Sequence, residues 1–201
     1  MRKRHGQPRA EEPRAEGIPD GVETDATTGA ALTLRRGRFE DVAAMLALIE
    51  GAVAQGCRDH YGAAQRHAVY VSYARSAFVD ALEPFETVIA EIDGDLAAFA
   101  QLDPETGRLR ALFVGAELQG LGIGATVLAH VLKRAEVLGC ARVHGAMSLN
   151  AVPFYERAGF RPCSGREQLT VDGVSVPVAP MERPAARRRR RGLAAPATGA
   201  K

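Results

Sequence analysis

A cluster of glycines between a strand-like segment and a helix-like segment limits the fold more than any other part of the sequence. Arg108–Val114 reads as a strand, and Ile123–Leu138 has the spacing of an amphipathic helix. Between them lie the alternating glycines Gly120, Gly122 and Gly124. Glycine lets the backbone approach a ligand closely, and the unpaired N–H groups at a helix N-terminus favour an anion such as a pyrophosphate. The segment therefore indicates either a phosphate-binding turn or a plain tight turn.

Two other phosphate-binding motifs can be compared with this cluster. A Walker loop requires Lys and then Ser or Thr after its last glycine, whereas Ala125-Thr126 follows here. Gly120–Ala125 does match the G-x-G-x-x-A dinucleotide fingerprint, but that motif belongs to the first β-α unit of a parallel sheet and has an acidic residue about 20 positions later. Here several predicted strands precede the turn, and the strand after the helix ends in Ser148-Leu149-Asn150. Both motifs are therefore disfavoured.

Hydrophobic periodicity around the turn predicts a mixture of strands and helices. The Asp-Gly pairs at 93–94 and 172–173 are typical of tight hairpins. The order favours a mostly antiparallel sheet flanked by helices, an α+β fold, over a doubly wound parallel sheet. The predicted elements are strands at Ala31–Arg35, Thr87–Ile92, Leu96–Leu102, Arg108–Val114, Arg142–Met147, Gln168–Val171 and Val174–Met181, and helices at Asp41–Val53, Ala63–Leu82, Ile123–Leu138 and Asn150–Ala158.

The length of 201 residues suits one domain with two polar tails. Residues 1–29 and 184–201 lack an apolar period, and we expect both to be disordered around a domain at residues 30–183. The net charge of +2 conceals an uneven distribution, because Arg187–Arg191 lies in the second tail while the domain itself is slightly acidic. The sequence therefore does not predict nucleic-acid binding by the domain. The arginine run could add a nonspecific attraction to nucleic acid that weakens with salt. A solvated tail is the simpler interpretation of that run.

Several classes of protein are disfavoured by what the sequence lacks. Cys57, Cys140 and Cys163 are widely separated and odd in number, so they indicate neither a disulfide framework nor a zinc site, and we expect no metal. No segment approaches the ~20 consecutive apolar residues of a membrane span. The basic N-terminus continues into polar residues without a signal-peptide core, which predicts a cytoplasmic protein.

Two segments together resemble the GNAT family of N-acetyltransferases. Gln119-Gly120-Leu121-Gly122-Ile123-Gly124 is similar to the family signature Q/R-x-x-G-x-G/A. Asn150-Ala151-Val152-Pro153-Phe154-Tyr155-Glu156-Arg157-Ala158-Gly159-Phe160 resembles a second family segment at the expected separation. The resemblance implies the GNAT fold, acetyl-CoA as co-substrate, and direct transfer to a small-molecule or peptide amine in a ternary complex. It also implies a possible homodimer.

The resemblance also implies which residues hold the cofactor. The strand before the turn bonds the pantetheine amides through its backbone, and the turn holds the pyrophosphate. The type and position of Asn150 predict that it caps the next helix. In the family this position often contacts the cofactor, so Asn150 is expected either to be a cap only or to contact the cofactor as well. The implied cofactor residues are Leu112, Phe113, Val114, Gln119, Gly120, Leu121, Gly122, Ile123, Gly124, Ala125 and Asn150.

Tyr155 resembles the tyrosine that many GNAT enzymes use as a general acid. A phenol with an ordinary pKa near 10 is protonated at neutral pH and can give its proton to a leaving thiolate. Aromatic packing is the alternative role. Phe154 and Phe160 are expected mainly in the core.

The sequence defines less clearly the general base that would deprotonate the acceptor amine. Where some relatives have a glutamate on the strand before the turn, this chain has Arg108 and Arg110. Glu91, Asp103 and the His60-Tyr61 pair are candidates, and water is an equal one. Residues 56–61 lie where GNAT proteins build the acceptor pocket. A chain that binds acyl-CoA as a sensor or scaffold, without catalysis, is the alternative function.

Overall fold

The computed structural model describes residues 21–24, 31–74, 85–164 and 168–185. The arginine run and residues 75–82 of the helical region predicted at Ala63–Leu82 lie outside these ranges. The helices are α1 (Val42–Gly56), α2 (Ala63–Ala74), α3 (Ile123–Val137) and α4 (Val152–Arg157). The strands are β1 (Gly21–Thr24), β2 (Ala31–Arg36), β3 (Glu86–Ile92), β4 (Asp95–Leu102), β5 (Leu109–Val114), β6 (Arg142–Ser148), β7 (Arg161–Pro162), β8 (Gln168–Val171) and β9 (Val174–Pro184).

The strands form two antiparallel groups that meet at one point. The first has the order β1-β2-β3-β4-β5, and the second has the order β6-β9-β7 with β8 paired to β9. The groups are joined by a parallel bridge between Arg108 and His144. Apart from this bridge, every strand pairing in the described part of the chain is antiparallel. The α+β prediction is confirmed, and the parallel dinucleotide-binding fold is excluded.

Both predicted Asp-Gly hairpins are present. Asp93 and Gly94 have φ angles of 53° and 88°, and Asp172 and Gly173 have φ angles of 49° and 78°. Two successive positive φ angles are those of a type I′ turn, whose twist matches that of the flanking strands. The turns set the register of β3 with β4 and of β8 with β9.

The core lies on both faces of the sheet. On one face, Val127, Leu128 and Val131 of α3 pack with apolar residues of β2, β3 and β4. On the other face, Met45 and Ile49 of α1 pack with residues of α2, β3, β4 and β9. This two-sided burial explains why β3 and β4 read as nearly continuous apolar segments.

Two short strands were not expected from the sequence. Gly21–Thr24 pairs with Ala31–Leu34 although it lies within the segment predicted to be disordered, so that prediction is wrong for these four residues. Arg161–Pro162 pairs with Met181 and Glu182. An edge strand is held by backbone hydrogen bonds and needs no apolar alternation, so neither segment has a hydrophobic signal.

Within the described ranges, no helix is long and apolar enough to cross a membrane.

Candidate active site

A cleft opens between β5 and β6 because the two strands diverge from their bridge at Arg108 and His144. The turn before β5 holds the closed end, where the His144 N–H donates to the Gly107 carbonyl oxygen at 3.0 Å. Beyond this point, the described residues show no strand pairing between β5 and β6. The cleft leads into a cavity of about 920 Å³. That volume lies within the range of small-molecule sites.

The cavity wall combines apolar and polar side chains from both sheet groups and from α1, α2 and α4. Toward the open end of the cleft it includes Leu112, Phe113, Ser148 and Tyr155, and toward the closed end Asp103, Thr106, Arg108, Arg110 and His144. The wall also contains Cys57, Tyr61, Tyr73 and Gln168.

The outer edge of β5 presents backbone groups to the cleft. The Gly115 N–H donates to the Ala97 carbonyl oxygen at 2.9 Å, which places residue 115 in a hydrogen-bonded pair with β4. Because antiparallel pairing alternates, Phe113 also faces β4, while Leu112 and Val114 direct their N–H and C=O groups away from it. Gln119 Nε2 donates to the Val114 carbonyl oxygen at 3.4 Å, which agrees with that direction. Of the three residues predicted to hold pantetheine, Leu112 and Val114 present their backbone groups to the cleft, whereas those of Phe113 face β4.

The glycine turn has backbone angles that only glycine adopts easily. Gly120 and Gly122 have φ angles of 84° and 90°, and Gly122 is the N-cap of α3. Ala125 and Thr126 donate to the Gly122 carbonyl oxygen at 2.9 and 3.1 Å. The N–H groups before them belong to the helix start, which has no acceptors within the helix. A Cβ at Gly120 would meet nothing within 4 Å, so space is open beside these donors. The turn fits a pyrophosphate group.

The start of α3 packs directly on the end of β5. A Cβ added to Gly124 would lie 3.2 Å from Val114 Cγ2 and 3.7 Å from the ring of Phe154. Phe154 thus lies beneath the turn, whereas Phe160 is fully buried in the core. The expectation of a core position is confirmed for Phe160. This close packing places the helix N-terminus at the open end of the cleft.

Tyr155 is held in the cavity wall by aromatic neighbours. Its ring centroid lies 5.0 Å from that of Phe154 and 5.3 Å from that of Phe160, both edge-on, and 5% of the residue is exposed. Burial, and to a lesser degree the nearby Tyr73, raise the pKa of its phenol well above the ordinary value. The phenol is therefore protonated at neutral pH. Packing and proton donation are compatible roles at this position.

Tyr73 is a further tyrosine of the cavity wall, and the sequence pattern did not indicate it. Its hydroxyl donates to the Arg110 carbonyl oxygen at 3.0 Å, and its ring contacts that of Phe113 edge-on at 5.1 Å. Burial raises the pKa of this phenol to about 12. The residue lies at the end of α2, and no motif connects that helix with β5. Only the fold brings them together.

Asn150 does not cap the helix that follows it. The N-cap of α4 is Ala151, and no side chain caps that helix. Instead, Asn150 Nδ2 donates to the Gly56 carbonyl oxygen at 3.1 Å, and its Oδ1 lies 3.4 Å from Cys57 Sγ. The cap prediction is wrong because a short 3-10 turn over Leu149–Ala151 directs the side chain toward the end of α1.

The carboxylates and the histidine considered as bases are poorly suited to that role. Glu91 forms an ion pair with Arg35 at 2.7 Å and does not line the cavity. Asp103 does line the cavity. Burial alone would raise the pKa of its carboxyl, but hydrogen bonds from Thr106 and Glu105 outweigh burial and hold that pKa below the ordinary value. His60 is exposed and lies outside the cavity wall.

Tyr61 lines the cavity with a hydroxyl that is already engaged. It donates to the Pro177 carbonyl oxygen at 2.8 Å and accepts from the Leu149 N–H at 2.8 Å. This pair of bonds connects the turn after α1 with β9 and the end of β6. The predicted acceptor region at residues 56–61 therefore contributes wall positions, namely Cys57 and Tyr61, without offering a base.

Comparisons with known proteins agree with this architecture. A GCN5-related N-acetyltransferase from Rhodopseudomonas palustris is 24% identical, with a TM-score of 0.70 over 82% of this chain and 98% of that chain. The PaiA N-acetyltransferase from Thermoplasma acidophilum, solved with coenzyme A, is 17% identical, with a TM-score of 0.62 over 76% and 98%. The ribosomal-protein-S18-alanine N-acetyltransferase from Escherichia coli is 18% identical, with a TM-score of 0.57 over 80% and 97%. At these identities the likeness shows the fold.

The family of this chain is identified by its sequence. No protein of curated function matches it. Residues 57–183 match the family described as the acetyltransferase (GNAT) domain, and this range covers more than half of the chain. The chain belongs to the GNAT acetyltransferase family.

Proposed function

We propose that this protein is an acetyl-CoA-dependent N-acetyltransferase that acts on an amine acceptor by direct attack in a ternary complex. One observation carries the proposal. The glycine turn follows β5, and the outer edge of the same strand lines a cavity that also contains the buried phenol of Tyr155. The turn would thus supply an anion site at the end of β5, next to the outward amides of that strand and to the phenol of Tyr155 in the cavity wall.

The chain's own groups would bind the cofactor in two places. Backbone N–H groups at residues 120–124 would hold the pyrophosphate, helped by the positive end of the α3 dipole. Leu112 and Val114 would bond the pantetheine amides in the manner of an added strand. When bound, acetyl-CoA supplies the acetyl thioester. Coenzyme A in the PaiA relative supports this choice of ligand.

The acceptor must lose a proton before it can react. An alkyl amine with a lysine-like pKa of ~10.4 is almost entirely charged at neutral pH. Because Glu91 is engaged with Arg35 and the carboxyl of Asp103 has a lowered pKa, we assign this proton to water in the cavity. The neutral amine then forms the new N–C bond as the C–S bond breaks, and Tyr155 gives its proton to the departing sulfur. The proton that the nitrogen loses as it becomes an amide passes through cavity water and restores the Tyr155 phenol.

Two further groups support direct transfer. Whichever of the Leu112 and Val114 N–H groups is not bonded to pantetheine can donate to the thioester carbonyl oxygen as negative charge develops on it. Cys57 is the buried cysteine of the cavity wall, and burial raises the pKa of its thiol. A thiol is nucleophilic as its thiolate, which is scarce here at neutral pH. The residues present therefore favour a route without an acyl-enzyme.

The proposal is tested by incubating the full chain with acetyl-CoA and a broad library of amines while free CoA is measured. We expect acceptor-dependent release of CoA, and tight binding of CoA by calorimetry without acceptor. CoA binding without turnover for any amine would indicate the sensor or scaffold function instead. Absence of both binding and turnover would refute the assignment of this cleft.

A further inference from the structure

The closed end of the cavity carries a concentration of positive charge. Arg108 and Arg110 both line this end, and His144 stands beside them. Among the lining residues that the structure describes, the one carboxylate is that of Asp103. Its Oδ1 already accepts hydrogen bonds from the Glu105 N–H at 2.9 Å and the Thr106 N–H at 3.2 Å. This part of the wall is therefore cationic.

Arg110 is held in place by an aromatic ring. Its guanidinium carbon lies 4.1 Å from the ring centroid of Phe85, at the start of β3. A guanidinium placed over a ring face keeps its N–H donors in its own plane, where they remain able to bond an oxyanion.

The cationic wall lies close to the reacting part of the cleft. Arg110 and Leu112 are two residues apart on β5, which is ~7 Å along a strand. Arg108 lies two residues further toward the closed end. An acceptor whose amine approaches the amides of Leu112 and Val114 would thus place a group a few bonds away beside Arg110.

We propose that the acceptor is a small amine that also carries an oxyanion, foremost a carboxylate, and that Arg110 and Arg108 bind this group. The proposal rests on the proposed function. Planar guanidinium groups match carboxylate and phosphate oxygens in bidentate geometry, so the chemistry is that of an oxyanion in either form. The cavity size of about 920 Å³ favours a small molecule over a polymer.

The experiment compares matched acceptors on the full chain. Each L-amino acid is paired with its carboxamide and with the amine that lacks the carboxyl group, and aminoalkyl phosphonates form a separate arm. The carboxamide has the less basic amine, so a larger fraction of it is neutral. A preference for the carboxylate therefore cannot come from easier deprotonation. We expect kcat/KM at least about tenfold higher for the carboxylate member of the best pair.

Variants connect that preference with the arginines. Arg110→Gln and, separately, Arg108→Gln should each reduce the ratio of kcat/KM for carboxylate over carboxamide at least about threefold, mainly through KM. Lys133→Gln removes an exposed positive charge from α3, outside the cavity wall, and should leave the ratio unchanged. CoA affinity and thermal unfolding of each variant show that the fold and cofactor site persist. Arg108 is exposed, so its variant should fold even if loss of the Phe85 contact destabilises the other.

The outcomes separate this inference from the function on which it rests. A carboxylate preference that both variants weaken supports it, and a stronger preference for phosphonates would name phosphate as the oxyanion. Equal use of charged and uncharged members, or a ratio that the variants leave unchanged, overturns the inference while acetyl transfer stands. No release of CoA with any amine overturns the transferase assignment itself.

Discussion

Asn150 Nδ2 donates a hydrogen bond to the Gly56 carbonyl oxygen at 3.1 Å, and this bond joins the segment after β6 to the last residue of α1. The two residues are 94 positions apart in the sequence. The carbonyl lies at a helix C-terminus, where no intrahelical donor reaches it. The side chain of Asn150 therefore provides a hydrogen-bond donor for the last carbonyl of α1 and anchors that end of the helix beside the cleft.

Replacing Asn150 by Ala should destabilise the protein by ~1–2 kcal/mol, because a half-buried carbonyl loses its donor. Urea unfolding followed by circular dichroism measures the change. Gln55→Ala, at an exposed position of the same helix, is the control and should change stability by no more than ~0.5 kcal/mol. Equal stability of the Asn150 variant and the unaltered protein would mean that water replaces the bond at no cost.

Tyr155→Phe should lower kcat at least about tenfold, since the ring packing is kept and the proton donor is lost. The affinity for CoA should change little. Tyr70→Phe removes a hydroxyl from α2 outside the cavity wall and is the matched control. Unchanged turnover in the Tyr155 variant would show that water protonates the leaving thiolate.

The pH profile of kcat offers a separate check on Tyr155. Because burial raises the pKa of this phenol, it stays protonated beyond the ordinary value of ~10. Loss of the acid should therefore appear only above about pH 10. A basic limb near pH 8 that disappears in Tyr155→Phe would contradict the environment described for this group.

Gly122→Val should weaken CoA binding at least about tenfold. Gly122 has a φ of 90°, which a β-branched residue adopts only with strain, so the helix start and its N–H groups should shift. Calorimetry with CoA measures the loss. Gly51→Ala is the control, because Gly51 lies within α1 and an added Cβ would meet nothing within 4 Å. That variant should bind CoA normally and gain ~0.5–1 kcal/mol of stability.

Arg35 joins Asp41 and Glu91 in an ion-pair cluster, with both distances 2.7 Å. The hydrogen bond from Arg35 holds the pKa of the Asp41 carboxyl below the ordinary value. Because the folded-state pKa is the lower one, this contribution is fully present above the unfolded value of ~3.9 and is lost as the pH falls through the folded pKa.

Asp41→Asn should therefore reduce stability at neutral pH and flatten its decline on acidification. Chemical unfolding measured from pH 7 to pH 3 gives both quantities. Asp95→Asn, at an exposed position, should leave the slope nearly unchanged. An equally steep decline in the Asp41 variant would show that other carboxyl groups account for the acid sensitivity.

Much of the architecture could be predicted from local patterns. The glycine turn, the hairpin at Asp93-Gly94 and the helix at Ile123–Val137 depend on backbone preferences and periodicities that neighbouring residues set. The family segments at 119–124 and 150–160 are short and continuous as well. For this reason the α+β fold and the GNAT family followed from the sequence.

Which side chains line the cavity depended on contacts between segments that are distant in the sequence. Tyr73 meets Arg110 across 37 positions, and Asn150 reaches Gly56 instead of capping α4. Local sequence carries no record of such partners, because they are selected by how the sheet groups diverge and how the helices pack on them. The sequence alone thus determined the turn that would hold a pyrophosphate, whereas the tertiary structure decided which side chains surround the acceptor.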